Sequence, residues 1–202
     1  MTNSIRFSQA ARRLGELRRR FLPRKFSPTG AYTARQHDLA RAFRLLAHAE
    51  IESFLEDRCL EAVNHAHDLW VNENRITSVL IALLAFREQS LGSIPHELDP
   101  TGPSSLRVRL WEAKNDYGLR LRHNHGIKER NVLAMLMPIG VREVDFDAIW
   151  VGEMNSFGTA RGEVAHQTVT TLKNMDPLTE WQTVGRLLGG LKGIDALIGR
   201  MR

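Results

Sequence analysis

Residues 33–70 read TARQHDLARAFRLLAHAEIESFLEDRCLEAVNHAHDLW. Apolar side chains return at Leu39, Phe43, Leu46, Phe54, Leu55, Cys59, Ala62, Val63, Leu69 and Trp70. Those steps keep a helical period and show no strand alternation, so the segment is expected to form one very long helix or two nearly collinear ones. Cys59 is the chain's single cysteine, which excludes an internal disulfide. Within this pattern it reads as a small buried hydrophobe rather than a nucleophile.

Helical patterns continue on both sides. Upstream, residues 5–22 make an amphipathic candidate ended by Pro23 and the Ser27-Pro28-Thr29-Gly30 linker. Downstream, residues 76–89 read as an apolar helix, residues 92–105 as a loop rich in Gly, Pro and Ser, and residues 106–122 and 127–137 as two helices split at His123-Asn124-His125-Gly126. Pro138 and Gly140 stop the second, and a further helix is expected from about 146 to 166. The last element is the best marked: Asp176 can cap it, Pro177 suits its first position, and Leu178, Trp181, Val184, Leu188, Leu191, Ile194 and Ile198 form its apolar face. The fold class is therefore all-α, most simply an antiparallel helical bundle. Its expected parts are a basic N-terminal helix and linker at 1–30 and a helical domain at 31–202, with an inserted helical segment at about 72–122.

With 202 residues the chain holds one sizeable core, and a second full domain is not expected. The strongest apolar run, residues 79–86, falls far short of the roughly 20 residues that cross a bilayer. The Arg-rich start lacks the apolar core of a secretory signal. A cytoplasmic protein with no membrane partner is expected.

The net charge of +5 hides an asymmetry. Residues 1–44 carry eleven Lys and Arg against Glu16 and Asp38, a balance of +9, which leaves −4 on the other 158 residues. Clustered cations gain affinity for a polyanion by releasing its condensed counterions, so Arg12, Arg13, Arg18, Arg19, Arg20, Arg24 and Lys25 are candidate RNA-binding residues. The same helix could equally dock on the body through Leu14, Leu17 and Phe21.

Several chemistries find no support. There is no Gly-rich phosphate loop, no dinucleotide fingerprint and no cysteine pair for zinc. His65 and His67, two residues apart, would point about 200° apart on a helix and could not share a metal. His123-Asn124-His125 spells a metal-nuclease name by coincidence, since adjacent residues cannot surround one ion. Asp145 and Asp147 are expected to serve a helix N-terminus. No metal site and no cofactor are expected.

Arg161 and His166 remain. Cutting RNA without a metal needs a base of near-neutral pKa for the 2′-hydroxyl proton and a fixed cation for the phosphate as charge builds on it. Histidine and arginine suit these roles. Five residues apart on a helix, they converge only if the arginine curls back or the helix ends there, and Gly162 favours such an ending. The spacing by itself is unspecific: chance supplies about one such pair in this chain, and Arg120 with His125 forms a second.

The stretch Asn155-Ser156-Phe157-Gly158-Thr159-Ala160-Arg161-Gly162-Glu163-Val164-Ala165-His166 resembles the signature of HEPN proteins, above all the RiboL-PSP-HEPN branch. Two further blocks resemble that branch in the same order. They are Ala47-His48-Ala49-Glu50-Ile51-Glu52-Ser53-Phe54-Leu55 and Asn124-His125-Gly126-Ile127 with residues 133–140. The resemblance runs over about residues 33–202. It implies a helical bundle that often dimerises, with Arg161 as phosphate clamp and His166 as base or acid, two such pairs meeting in one cleft. Gly162 stands where many members carry a polar residue.

Glu50 shares a stripe with Phe43, Leu46, Ala47 and Phe54, so it should point at least partly inward, where a lone carboxylate is costly. Arg161 is its candidate partner, the alternative being that Glu50 reaches solvent at the edge of the stripe. His48, His125, Gly162 and Glu163 complete the supporting set. The implied function is a metal-independent endoribonuclease, in the role of a toxin or phage-defence effector with an antitoxin or defence-system partner. A non-catalytic module that binds RNA or a protein is the alternative.

Overall fold

Thr33 starts the longest helix with a reciprocal cap. Its hydroxyl accepts from the Gln36 N–H at 3.3 Å, and the Gln36 side-chain oxygen accepts from the Thr33 N–H at 2.9 Å. Helix α2 then runs unbroken over Ala34–Glu73, about 60 Å at 1.5 Å per residue. It ends where Asn74 turns left-handed, with φ of 53°. The expected long helix is thus one continuous element.

The computed structural model describes residues 3–87, 105–166 and 174–201, with side chains in the middle segment as far as Arg161. The other α-helices among these residues are α1 (Ile5–Phe21), α3 (Ser78–Ala85), α4 (Leu106–His123), α5 (Glu129–Leu136), α6 (Ala148–His166) and α7 (Pro177–Arg200). No strand occurs among the described residues. Apart from Ser105, which caps α4, the loop expected at 92–105 lies outside the described residues.

All six other helices pack against α2, and this explains its sequence. A helix surrounded on several sides needs small or apolar residues around most of its circumference rather than one stripe. Ala40, Phe43, Ala47, Ile51, Leu55, Cys59 and Val63 have no measurable exposure. Leu46, which the stripe includes, stands 40% exposed.

Helix α1 is not a free arm. Ser4 caps it, and Phe7, Ala10, Leu14 and Leu17 are buried in the same core as α2. The Phe7 ring meets Phe54 edge-to-face at 6.0 Å. A buried ion pair ties the same region to α7: Arg58 Nε donates to Asp195 Oδ1 at 2.7 Å, and the Ser4 N–H donates to the other oxygen at 2.8 Å. Helices α3 and α4, placed in the inserted segment, add Leu80, Leu83, Leu110, Ala113, Tyr117 and Leu121 to that core. The Tyr117 hydroxyl donates to the Met135 carbonyl at 2.6 Å and so ties α4 to α5.

Asp176 caps α7 as expected, accepting from the Leu178 and Thr179 N–H groups at 2.7 and 3.0 Å. The buried face differs slightly from the sequence pattern. Leu187 is fully buried and Leu188 only partly so, because Trp150 of α6 lies across this turn and donates to the Leu187 carbonyl at 3.0 Å. A Cβ at Gly190 would come within 2.1 Å of the Trp150 ring. Gly190→Ala must therefore displace Trp150 from that carbonyl, and a loss of about 2 kcal/mol is expected in urea unfolding. An unchanged midpoint would show that the ring has room to shift.

Candidate functional site

Arg44, His48 and Glu52 follow one another at four-residue steps and form one face of α2, turned toward α6. His48 is 2% exposed, and its ring stacks on Phe157 of α6 with centroids 6.4 Å apart and planes 17° from parallel. Arg44 places its guanidinium 5.2 Å from the same ring's centroid. The Arg44 fork also grips Glu180 of α7 with bonds of 2.7 and 2.6 Å. Burial pushes the Glu180 carboxyl up, and that fork opposes the shift. Phe157 is thus met by two α2 side chains.

One turn beyond Phe157, Arg161 is exposed yet close enough to His48 to act on its proton. Burial lowers the His48 pKa first, Glu52 raises it, and Arg161 lowers it again. Below the usual value of about 6.5, His48 is a neutral imidazole at pH 7. Glu52 lies 3.6 Å from His48 Nδ1 and accepts from the Gly126 N–H. It thereby ties the turn between α4 and α5 to α2. Gly126 has φ of 112°, where glycine is the natural occupant.

A consequence for pH follows. The unfolded chain protonates His48 near pH 6.5, while the folded chain resists, so stability present above that value is lost as pH falls through and below it. His48→Phe keeps a ring on Phe157 and removes this proton uptake. The drop in Tm from pH 7.5 to 5.5 is expected to be smaller in the variant than in the wild type. Equal drops would assign the acid sensitivity to other groups.

The expectation for Glu50 needs correction. Its half-buried carboxyl is raised by burial and feels Arg13, Asp57 and Glu16, which places it toward α1 rather than against Arg161. Two residues along a helix turn a side chain by about 200°, so Glu50 and Glu52 face opposite ways. Glu52 is the carboxylate on the Arg161 side. The His48-x3-Glu52 step was visible in the sequence as a same-face pair, but the stripe through Phe43 and Phe54 favoured Glu50.

His125 is exposed in the turn, and its charge influences Glu56, one helical turn past Glu52. The backbone of α6 extends to His166. The side chains of Glu163 and His166, and the surroundings of Gly162, lie outside the described residues. Among the basic residues of the N-terminal region, Arg12, Arg19, Arg20, Arg24 and Lys25 are exposed. Arg13 is engaged with Glu16 at 3.3 Å, and Arg18 lies over Phe26 and Trp181. Of these cations Arg13 lies near Glu50, on the side of α2 away from His48, while Arg18 reaches α7.

Among the described residues, no group of three or more His, Cys, Asp or Glu side chains is placed to hold a metal, and no helix is long and apolar enough to cross a membrane. What the site offers is an exposed guanidinium on α6, one turn past a ring that stacks on a buried imidazole, and near enough to that imidazole to lower its pKa. Among protein families, the RiboL-PSP-HEPN family matches the chain over residues 16–184. No curated protein and no solved structure matches the chain.

Proposed function

The chain belongs to the RiboL-PSP-HEPN family, and from that premise we propose that it is a metal-independent endoribonuclease with Arg161 and His166 as its catalytic pair. The family points to RNA-related chemistry. The observation that carries the finer reading is the exposed Arg161 guanidinium on the same helix as His166. In this reading His166 takes the proton of a ribose 2′-hydroxyl, and the 2′-oxygen attacks the adjacent phosphorus. The bond to the 5′-oxygen breaks, leaving a 2′,3′-cyclic phosphate on one fragment and a 5′-hydroxyl on the other. Arg161 holds the non-bridging oxygens as negative charge grows on them.

The leaving 5′-oxygen needs a proton. In a two-fold homodimer the imidazole of a second copy would supply it, so one histidine acts as base and the other as acid. The exposed arginines of the N-terminal region and Lys25 would raise the local concentration of RNA. In the cell such an activity suits a toxin or phage-defence effector of the cytoplasm, held in check by a partner protein.

The test is incubation of the purified protein with single-stranded RNA in EDTA, followed by end-group analysis. Cyclic phosphate ends are expected, and expression is expected to slow growth only while His166 is intact. Gly162 favours a second reading, because it offers no side chain beside Arg161 to hydrogen-bond the phosphate. A non-catalytic module would bind RNA or a protein and leave the RNA whole. Intact RNA in the presence of demonstrable binding would decide for that reading.

A further inference from the structure

Helix α5 meets α6 at Gly158. A Cβ there would lie 3.1 Å from Lys128 Cγ and 3.2 Å from its backbone nitrogen, so the absence of a side chain lets the start of α5 settle onto α6. Beside this contact lies an open depression of about 390 Å³, lined by Lys128, Glu129, Arg130, Leu133 and Asn155. Arg130 and Asn155 are exposed and Lys128 is half-buried. No ion pair within the described residues engages either cation, whereas Arg6, Arg44, Arg58, Arg142 and Arg186 all have carboxylate partners. Free cations beside an amide and an apolar floor suit a sugar-phosphate chain: charge for the phosphates, Asn155 for a hydroxyl or base edge, Leu133 for a ribose face.

The placement relative to Arg161 gives this depression its meaning. Asn155, Gly158 and Arg161 follow at three-residue steps along α6, winding gradually around it. Six residues advance about 9 Å along the axis. A strand whose phosphate is held at Arg161 would therefore bring a flanking phosphate, within a few nucleotides, near Lys128 and Arg130.

Resting on the ribonuclease reading, we propose that the depression lined by Lys128, Arg130, Leu133 and Asn155 is a subsite for the RNA backbone, which sets the direction of the strand through Arg161. The subsite holds phosphates flanking the one that is cut. Its cations therefore contribute to binding and leave the chemical step alone. Glu129, the one carboxylate in the lining, opposes that binding.

The test uses a fluorescent 2′-O-methyl hexanucleotide, which lacks the attacking hydroxyl and stays whole, and reads its anisotropy at several salt concentrations. Lys128→Gln combined with Arg130→Gln is expected to weaken binding about tenfold and to flatten the plot of log affinity against log salt by about 0.7 per lost contact. Glu129→Gln is expected to tighten binding. With cleavable RNA, the double variant is expected to raise KM at unchanged kcat. Removing two other exposed cations, Lys192→Gln with Arg200→Gln, serves as the control for overall charge.

The subsite is overturned if the Lys128 and Arg130 variant keeps wild-type affinity and salt slope, or if the control pair weakens binding equally. Either result leaves the nuclease reading standing, because cyclic phosphate ends test that separately. A wild-type protein that neither binds the oligonucleotide nor cuts RNA would overturn both.

Discussion

His166→Ala should lower the rate of RNA cleavage by about 10² to 10⁴, the range a positioned general base contributes. Arg161→Ala should cost about 10² to 10³, the loss typical of removing one donor to a developing oxyanion. Arg161 is exposed, so its truncation leaves the core intact, and both variants are expected to fold. Circular dichroism and an unchanged Tm would establish that. Arg161→Lys keeps the charge and loses the planar fork, so it should recover only part of the activity. The double variant should be little worse than the weaker single variant, because the two groups act on one transition state. Wild-type cleavage by His166→Ala would remove this histidine from the mechanism.

The largest loss of stability is expected from Asp195→Ala. Arg58 is 1% exposed and Asp195 4% exposed, and the carboxylate satisfies both the Arg58 guanidinium and the Ser4 N–H that begins α1. Deleting it strands a buried positive charge, which costs about 3–5 kcal/mol. For a chain of this length that corresponds to a fall in Tm of about 6–20 °C. Replacing both partners with apolar side chains, Arg58→Met with Asp195→Leu, should restore most of the loss, because no unpaired charge remains. Glu61 bears on the result: it accepts from Arg58 at 2.9 Å but is itself partly exposed, so it compensates only weakly. A fall of no more than two degrees or so for Asp195→Ala would show that water reaches Arg58, and that apolar packing alone holds α1, α2 and α7 together.

The two ion pairs that join distant parts of the chain, Arg58 with Asp195 and Arg44 with Glu180, show where reading the sequence stops. Each links residues more than 130 positions apart. Nothing in the local pattern of α7 marks Glu180 or Asp195 as buried, since both fall among ordinary polar positions of an amphipathic helix. The same limit produced the misplacement of Glu50. An apolar stripe shows that a residue lies near a buried face, but α2 has several buried faces, and the stripe does not say which helix covers each one.

The sequence by itself determined the helices and most of their ends, because these depend on neighbours a few residues away: the period of apolar positions, Asp176 as a cap, Pro138 and Gly140 as stops. It also carried the family through the ordered blocks around His48, Gly126 and Arg161. Tertiary structure alone decided that the basic helix docks on α2, that Glu52 rather than Glu50 stands on the Arg161 side, and that Lys128 and Arg130 border the helix bearing that arginine. Those relations join side chains that are far apart in the chain, and only the packing of whole helices fixes which of them meet.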